Sequence, residues 1–326
     1  MINPLSLIKN TPAYKSVLGD KKSGRLSHAY MIICRDKKFL KDYLKIFARL
    51  IACSGEEFCG TCRTCRLIGE ETHPDVLFYP RGTSVVTADI ESIIEESFLK
   101  PVEADKKLFV MTTGESMNVA SQNKLLKTLE EPPKNVHILI GATNEFSFLP
   151  TIKSRVKKLE IQPFTANEIL SVLKEEYGEN SKLLSAVSCG DGTLGKAIEL
   201  YADAEFEKIT ALALDVLLNM KSSKQVLEFS TKIAKENVDI LEFLSVLEIA
   251  LRDLLAVECG KEELVFNKEL TEKLKGAQGF TKGALTYALG KITEASKRKK
   301  FNNNPTMLLD WLLFAILEGK HKCQKL

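Results

Sequence analysis

A chain of 326 residues exceeds one ordinary domain and suits two or three. Its 46 lysines and arginines stand against 43 acidic residues, and a net charge of +3 excludes a globally basic nucleic-acid binder while leaving local basic patches open. Without an apolar run of about 18 residues, or a charged-then-apolar leader, a membrane span is excluded. A cytoplasmic protein is expected, with its eight cysteines held as thiols or metal ligands.

In chain order, Thr11 to Asp20 reads as a short helix and Lys21 to Gly24 as a polar turn. Met31 to Cys34 is an apolar strand, followed by a basic turn and a helix from Phe39 to Ala52. Then come Cys53, Cys59, Cys62 and Cys65, with Gly60 and Thr61 forming a tight knuckle. Four thiols so spaced suit a closed, structural Zn²⁺ site, because thiolates satisfy a borderline-soft cation in tetrahedral geometry. An iron–sulfur cluster or free thiols are the weaker readings. Cys34, Cys189, Cys259 and Cys323 are scattered and read as core filler.

His73-Pro74-Asp75 lacks a spaced nucleophile and reads as a turn before a strand, Val76 to Tyr79. Thr87 to Phe98 is an amphipathic helix. Leu108 to Met111 is a buried strand, and Asn118 to Glu130 a helix with Val119, Leu125, Leu126 and Leu129 as its apolar stripe. Pro132 and Pro133 end that helix, and Val136 to Ile140 is the next strand. Strand, helix and strand with short joins make a right-handed βαβ unit and predict a parallel sheet. Val156 to Ile161 is the last strand, and Thr165 with Glu168 forms a capping box. Helices follow at about 166–177, 181–188 and 193–203, and the rest is helical. Asn302-Asn303-Asn304-Pro305 opens the final helix, Trp311 is expected in the core, and Lys297 to Lys300 reads as a solvated helix end.

The run Asn123 to Pro133, KLLKTLEEPP after its asparagine, resembles the central helix of bacterial DNA polymerase III clamp-loader subunits, ATPases of the AAA+ class. Leu149 to Arg155 resembles their Ser-Arg-Cys motif, with Val156 in place of the cysteine, and Gly24 to Tyr30 resembles the entry to their nucleotide-binding strand. The resemblance implies an α/β fold in three parts. These are an AAA+ parallel-sheet domain (1–163) with a zinc module at 53–65, a three-helix lid (164–203) and an all-α oligomerising collar (204–326).

Against that family pattern the nucleotide site is degenerate. Leu40 stands where the phosphate-loop lysine belongs, and no glycine in the Cys34–Lys41 turn lets backbone amides approach a phosphate. Thr112 and Thr113 replace the Asp-Glu that would hold magnesium and orient water. Gly195 replaces the lid arginine, and Lys196 one position on points elsewhere around a helix. Thr143 and Asn144 resemble a sensor position and read as structural. No bound ATP and no enzymatic activity of its own are therefore expected, only a place within a DNA-directed DNA polymerase holoenzyme.

The resemblance further implies that Arg155 serves as an arginine finger in trans, supported by Ser154. It also implies gamma/tau-type ATPase and delta partners in a hetero-pentameric ring, with primed DNA and the sliding clamp reached through the complex. Two other readings stay open: an active ATPase with a divergent loop, and a free-standing zinc-containing nucleic-acid binder using Arg63 and Arg66.

Overall fold

Five segments become five strands of one parallel sheet: β1 (Ala29–Cys34), β2 (Val76–Tyr79), β3 (Lys107–Met111), β4 (Val136–Ala142) and β5 (Lys157–Ile161). The computed structural model describes residues 2–236, 238–274, 279–299 and 304–322. Strand order is β2-β3-β4-β1-β5, with Met31 opposite Ile140 and Lys158, and Met111 opposite Ile140. Every residue of β3 and β4 is buried. Helices cover both faces of such a sheet, which is why these segments read as continuous apolar runs and show no alternation.

The helices of this unit are α1 (Leu5–Lys9), α2 (Pro12–Lys22), α3 (Leu40–Ala52), α4 (Arg63–Glu70), α5 (Thr87–Ser97), α6 (Val119–Glu130) and α7 (Pro150–Lys153). Three of them, α1, α4 and α7, are too short for a periodicity signal and were not foreseen. Thr11 caps α2 by accepting the Tyr14 amide, and Asn118 caps α6 by accepting the Ser121 amide at 2.8 Å. One correction concerns the stripe on α6. Leu125 and Leu129 are buried, but Val119, at the first helical position, is 60% exposed. In the first turn of α6 Ser121 and Gln122 face the packed side instead, so the spacing of Val119 was not matched by burial.

Asp75 shows what the His-Pro-Asp turn does. Its carboxylate is fully buried and accepts the backbone amides of Val102, Glu103 and Ala104 at 2.7, 2.7 and 2.8 Å. It therefore pins the loop between α5 and β3 to the start of β2. Burial pushes the carboxyl pKa up, but the three amides outweigh it and hold the pKa below the usual carboxylate range. Asp75→Ala is expected to cost about 3 kcal/mol in a denaturant titration, since three backbone donors lose a charged acceptor. A depressed folded-state pKa contributes stability above the unfolded value near 4 and loses it as pH falls through the folded value. The wild-type minus Asp75→Ala difference in stability should therefore shrink only below about pH 4.

The chain divides into two compact units, one of residues 1–172 with 193–195 and the other of 173–192 with 196–326. Two helices, α8 (Ala166–Tyr177) and α10 (Leu194–Ala202), cross these boundaries. At the start of α8 the expected capping box is present: Glu168 Oε2 accepts the Thr165 amide at 2.8 Å and Thr165 Oγ1 accepts the Glu168 amide at 3.3 Å.

The second unit is helical among its described residues, with α9 (Ser181–Cys189), α11 (Ala204–Asn219), α12 (Ser223–Lys235), α13 (Ile240–Glu258), α14 (Lys268–Leu274), α15 (Lys282–Lys299) and α16 (Pro305–Lys322). Its core gathers Leu212, Val216, Leu244, Leu247, Leu251 and Leu312 around α13. Trp311 packs half-buried at the edge of that core. The Arg298 guanidinium lies 4.1 Å from its ring centroid, so one member of the basic cluster covers an aromatic face.

Cys34 and Cys189 are buried as expected, whereas Cys259 is exposed and is not core filler. Cys259 is the C-cap of α13, past the last turn of that helix. Lys300, Asn302, Asn303 and Cys323 lie outside the described residues.

Candidate functional site

Three groups of residues carry chemistry in the sheet unit. The first is the turn after β1. Parallel strands aim their carboxyl ends at one edge, the edge at which open α/β sheets bind ligands. Asp36 sits there, 3% exposed, ahead of the amino terminus of α3. Its Oδ1 accepts the Phe39 amide at 3.2 Å, and its Oδ2 accepts the Tyr43 hydroxyl and the Gly195 amide, each at 3.0 Å. A helix amino terminus favours negative charge because its first amides lack acceptors. Here a side-chain carboxylate of the chain itself fills that role.

Burial and the neighbouring Asp36 charge push the Tyr43 pKa up strongly, so Tyr43 keeps its proton and donates it. Gly195 permits this closure. A Cβ there would lie 2.5 Å from Asp36 Oδ1 and 2.8 Å from Lys38 Cβ. Leu40 is buried in the first turn of α3 and offers no charge. Thr112 donates its hydroxyl to the Tyr79 carbonyl at 3.1 Å, and Thr113 faces Ser116 at 3.4 Å. Lys196 ion-pairs with Glu242 at 2.9 Å. Thr143 donates its hydroxyl to Glu115 at 3.0 Å. Asp36 was missed as a functional residue, because its acceptor role depends on an amide 159 positions away.

The second group is the cysteine cluster. The four Sγ atoms of Cys53, Cys59, Cys62 and Cys65 lie within 4.8 Å of one another, with Cys53 and Cys62 at 3.9 Å. Four sulfurs about 2.3 Å from a tetrahedral zinc stand roughly 3.8 Å apart, so the donor set fits such an ion. The local chain dictates the arrangement. Cys53 ends α3, and Cys62 is the N-cap of α4, its Sγ accepting the Cys65 amide at 3.4 Å. Gly60, at φ +75°, makes the turn between them, a conformation that L side chains rarely adopt. The Arg49 guanidinium donates to the Cys65 carbonyl at 3.0 Å and ties α4 to α3.

Thiol acidity differs around the cluster. The Cys62 and Thr61 amides lower exposed Cys59 to about 6, whereas burial pushes Cys65 up to about 12. Arg63, a candidate phosphate contact, is instead bidentate with Glu103, at 3.1 and 3.0 Å. That pair fastens the module to the loop held by Asp75. Arg66 remains exposed.

The third group surrounds Arg155. Ser154 is the C-cap of α7, and Arg155 follows it with its side chain 34% exposed. Its Nη1 donates to the Thr151 carbonyl at 3.0 Å and lies 3.2 Å from Ser154 Oγ, while Nη2 pairs with Glu130 Oε1 at 2.7 Å. Buried Gln122 holds this segment against α6. It donates to the Ser147 carbonyl at 2.9 Å and accepts the Leu149 amide at 2.8 Å. Glu130 and Gln122 both lie in or beside the leucine-rich motif of α6, yet periodicity gave no sign that they fix the guanidinium's direction.

The chain is similar to subunits of DNA polymerase III. The model described as DNA polymerase III, delta subunit, matches residues 9–165. The delta' subunit of DNA polymerase III from Bacillus subtilis (strain 168) is 28% identical over 306 residues, covering 90% of this chain and 92% of that protein. The delta' subunit from Yersinia pestis is 30% identical over 152 residues, 45% of this chain and 44% of that one. A gamma subunit-related protein from Thermotoga maritima is a solved structural neighbour with a TM-score of 0.40 and 19% identity, covering 94% of this chain and all 100% of that one.

Proposed function

This chain belongs to the clamp-loader subunits of DNA polymerase III, of the delta-prime type, and from that membership we propose that it is a non-hydrolysing member of the loader. In this reading it supports ATP-dependent loading of the sliding clamp on primed DNA and completes the ATP site of a neighbouring subunit. Its partners are gamma/tau-type ATPase subunits and a delta subunit in a five-membered ring, in the cytoplasm. No helix among the described residues is long and apolar enough to cross a membrane. The sheet domain (1–163), lid (164–203) and collar (204–326) are the proposed divisions.

The observation that carries the non-hydrolysing reading is the Asp36 carboxylate, buried at the amino terminus of α3 with all its partners drawn from this chain. A phosphate entering that position would meet a buried negative charge and would have to displace three hydrogen bonds. Thr112 and Thr113, the two positions directly after β3, are neutral and offer no carboxylate for magnesium. Titrating the chain with Mg-ATP, followed by calorimetry, is expected to show no saturable binding below about 1 mM, a free energy of roughly −4 kcal/mol. Micromolar binding would establish the divergent-ATPase reading in its place.

Arg155 is the proposed finger in trans, with Ser154 in support. Glu130 is its resting partner in the free chain, and the half-exposed guanidinium can exchange that carboxylate for a phosphoryl oxygen. Zinc held by Cys53, Cys59, Cys62 and Cys65 is structural, since four protein thiolates leave no open position. In the stand-alone nucleic-acid reading Arg63 would first have to exchange Glu103 for a phosphate.

A further inference from the structure

We propose that the amino-terminal edge of the sheet, opposite the Asp36 edge, carries a binding site for a phosphate-bearing anion. The site is a cavity of about 310 Å³ lined by Lys21, His28, Lys106, Pro132, Asn135 and His137, among others. It lies outside the sites already described, and it stands whether or not the chain acts as a clamp-loader subunit.

Strand register brings these residues together. Strands β3, β4 and β1 are neighbours and start near one level, with Lys107 opposite Val136 and Ala29 opposite Ile138. The residues just before or at those starts, Lys106, Asn135, His137 and His28, therefore converge. Lys21 reaches them from the end of α2, its Nζ donating to the Cys53 carbonyl at 2.6 Å. Four basic side chains from four segments thus line one cavity, and none of its lining residues is acidic.

The Lys106 charge is uncompensated. Among the described residues Lys106 makes no hydrogen bond or ion pair, and His28 keeps a buried Nε2 without a partner. His137 is held by the Ser27 carbonyl at 2.8 Å from Nδ1. A carbonyl only accepts, so the proton sits on Nδ1 and Nε2 is left to take up another. Burial and then the Lys106 and His28 charges lower the His137 pKa, while the Ser27 contact opposes them. A cavity lined by basic groups and free of carboxylates favours an anion.

A multiply charged oxyanion fits best, because it can meet two ammonium groups and an imidazolium at once. The cavity is far larger than the roughly 30 Å³ of one water. Its anion can be a free pyrophosphate or nucleotide, or a backbone phosphate of a nucleic-acid strand.

The test uses the full chain, inorganic pyrophosphate and a short single-stranded oligonucleotide as probes. The readouts are calorimetry and the NMR titration of the His137 ring protons, assigned with His137→Gln. Pyrophosphate is expected to bind saturably and to raise the His137 pKa, because an adjacent anion favours imidazolium. Lys106→Met removes a side chain with no structural bond and is expected to weaken binding about tenfold. If only the oligonucleotide moves His137, with the same loss in Lys106→Met, the site takes backbone phosphate. If neither probe moves His137, or Lys106→Met binds as tightly as the parent chain, the proposal is wrong.

Discussion

Arg155→Ala is expected to lower ATP turnover at the neighbouring subunit's site by about 10³-fold or more, the usual worth of a finger placed in trans. The measurement is a single-turnover assay in the reconstituted complex with primed DNA and clamp present. Geometry supports so large an effect. Thr151 and Ser154 hold one side of the guanidinium, so part of its orientation is fixed before a triphosphate displaces Glu130. The contact to Glu130 is no obstacle. Ion pairs exposed to this degree contribute about 0–1 kcal/mol, less than a charge-assisted bond to a phosphoryl oxygen forming in the transition state.

Two further variants separate position from charge. Arg155→Lys keeps the charge but cannot reach Thr151 and Glu130 with one planar fork, and it should recover little. Glu130→Gln keeps the shape and frees the guanidinium, so the complex should retain activity with altered ATP affinity. Turnover unchanged in Arg155→Ala, with the complex intact by gel filtration, would remove the finger from the mechanism.

Loss of the metal is the second large effect. One equivalent of zinc per chain is expected by elemental analysis. Chelation or Cys65→Ser should release it and unfold the module from Cys53 to Glu71, read as new amide exchange there and a lower melting temperature. Zinc binding to such modules supplies about 10–16 kcal/mol in isolated peptides. In this chain part of that energy is shared with the α3 core, through Arg49 and Cys53. Cys65 is fully buried and Cys59 exposed, so Cys65→Ser should cost more stability than Cys59→Ser. Retention should also fall with pH. Cys59, near 6, is already thiolate at neutrality, but Cys65 must give up a proton that burial holds, and acid opposes that step. A chain that holds no metal when freshly purified, yet melts as sharply as before chelation, would count against the centre.

Five strands, the capping box at Thr165 and the four thiols were legible because each is a local signal. A strand buried on both faces has to be apolar throughout, as Leu108 to Met111 and Val136 to Ile140 are. Metal ligands crowded into one short segment need little tertiary help to find each other. That Leu40, Thr112 and Gly195 carry no charge was equally plain, since a missing charge requires no fold to be recognised. Local spacing failed where packing overrode it, at exposed Val119 and exposed Cys259.

Folding alone chose the partners. That Asp36 would close on the Gly195 amide, that Glu130 would hold Arg155, and that Asp75 would receive three amides from a later loop all depend on which distant segments meet. The cationic cavity at the amino-terminal edge has the same origin, because strand register set Lys106, His28 and His137 side by side. Residue type declares what a group can donate, accept or carry. Only the packed chain decides which other group lies within three ångströms of it, and hydrogen bonds and charge pairs act at that range.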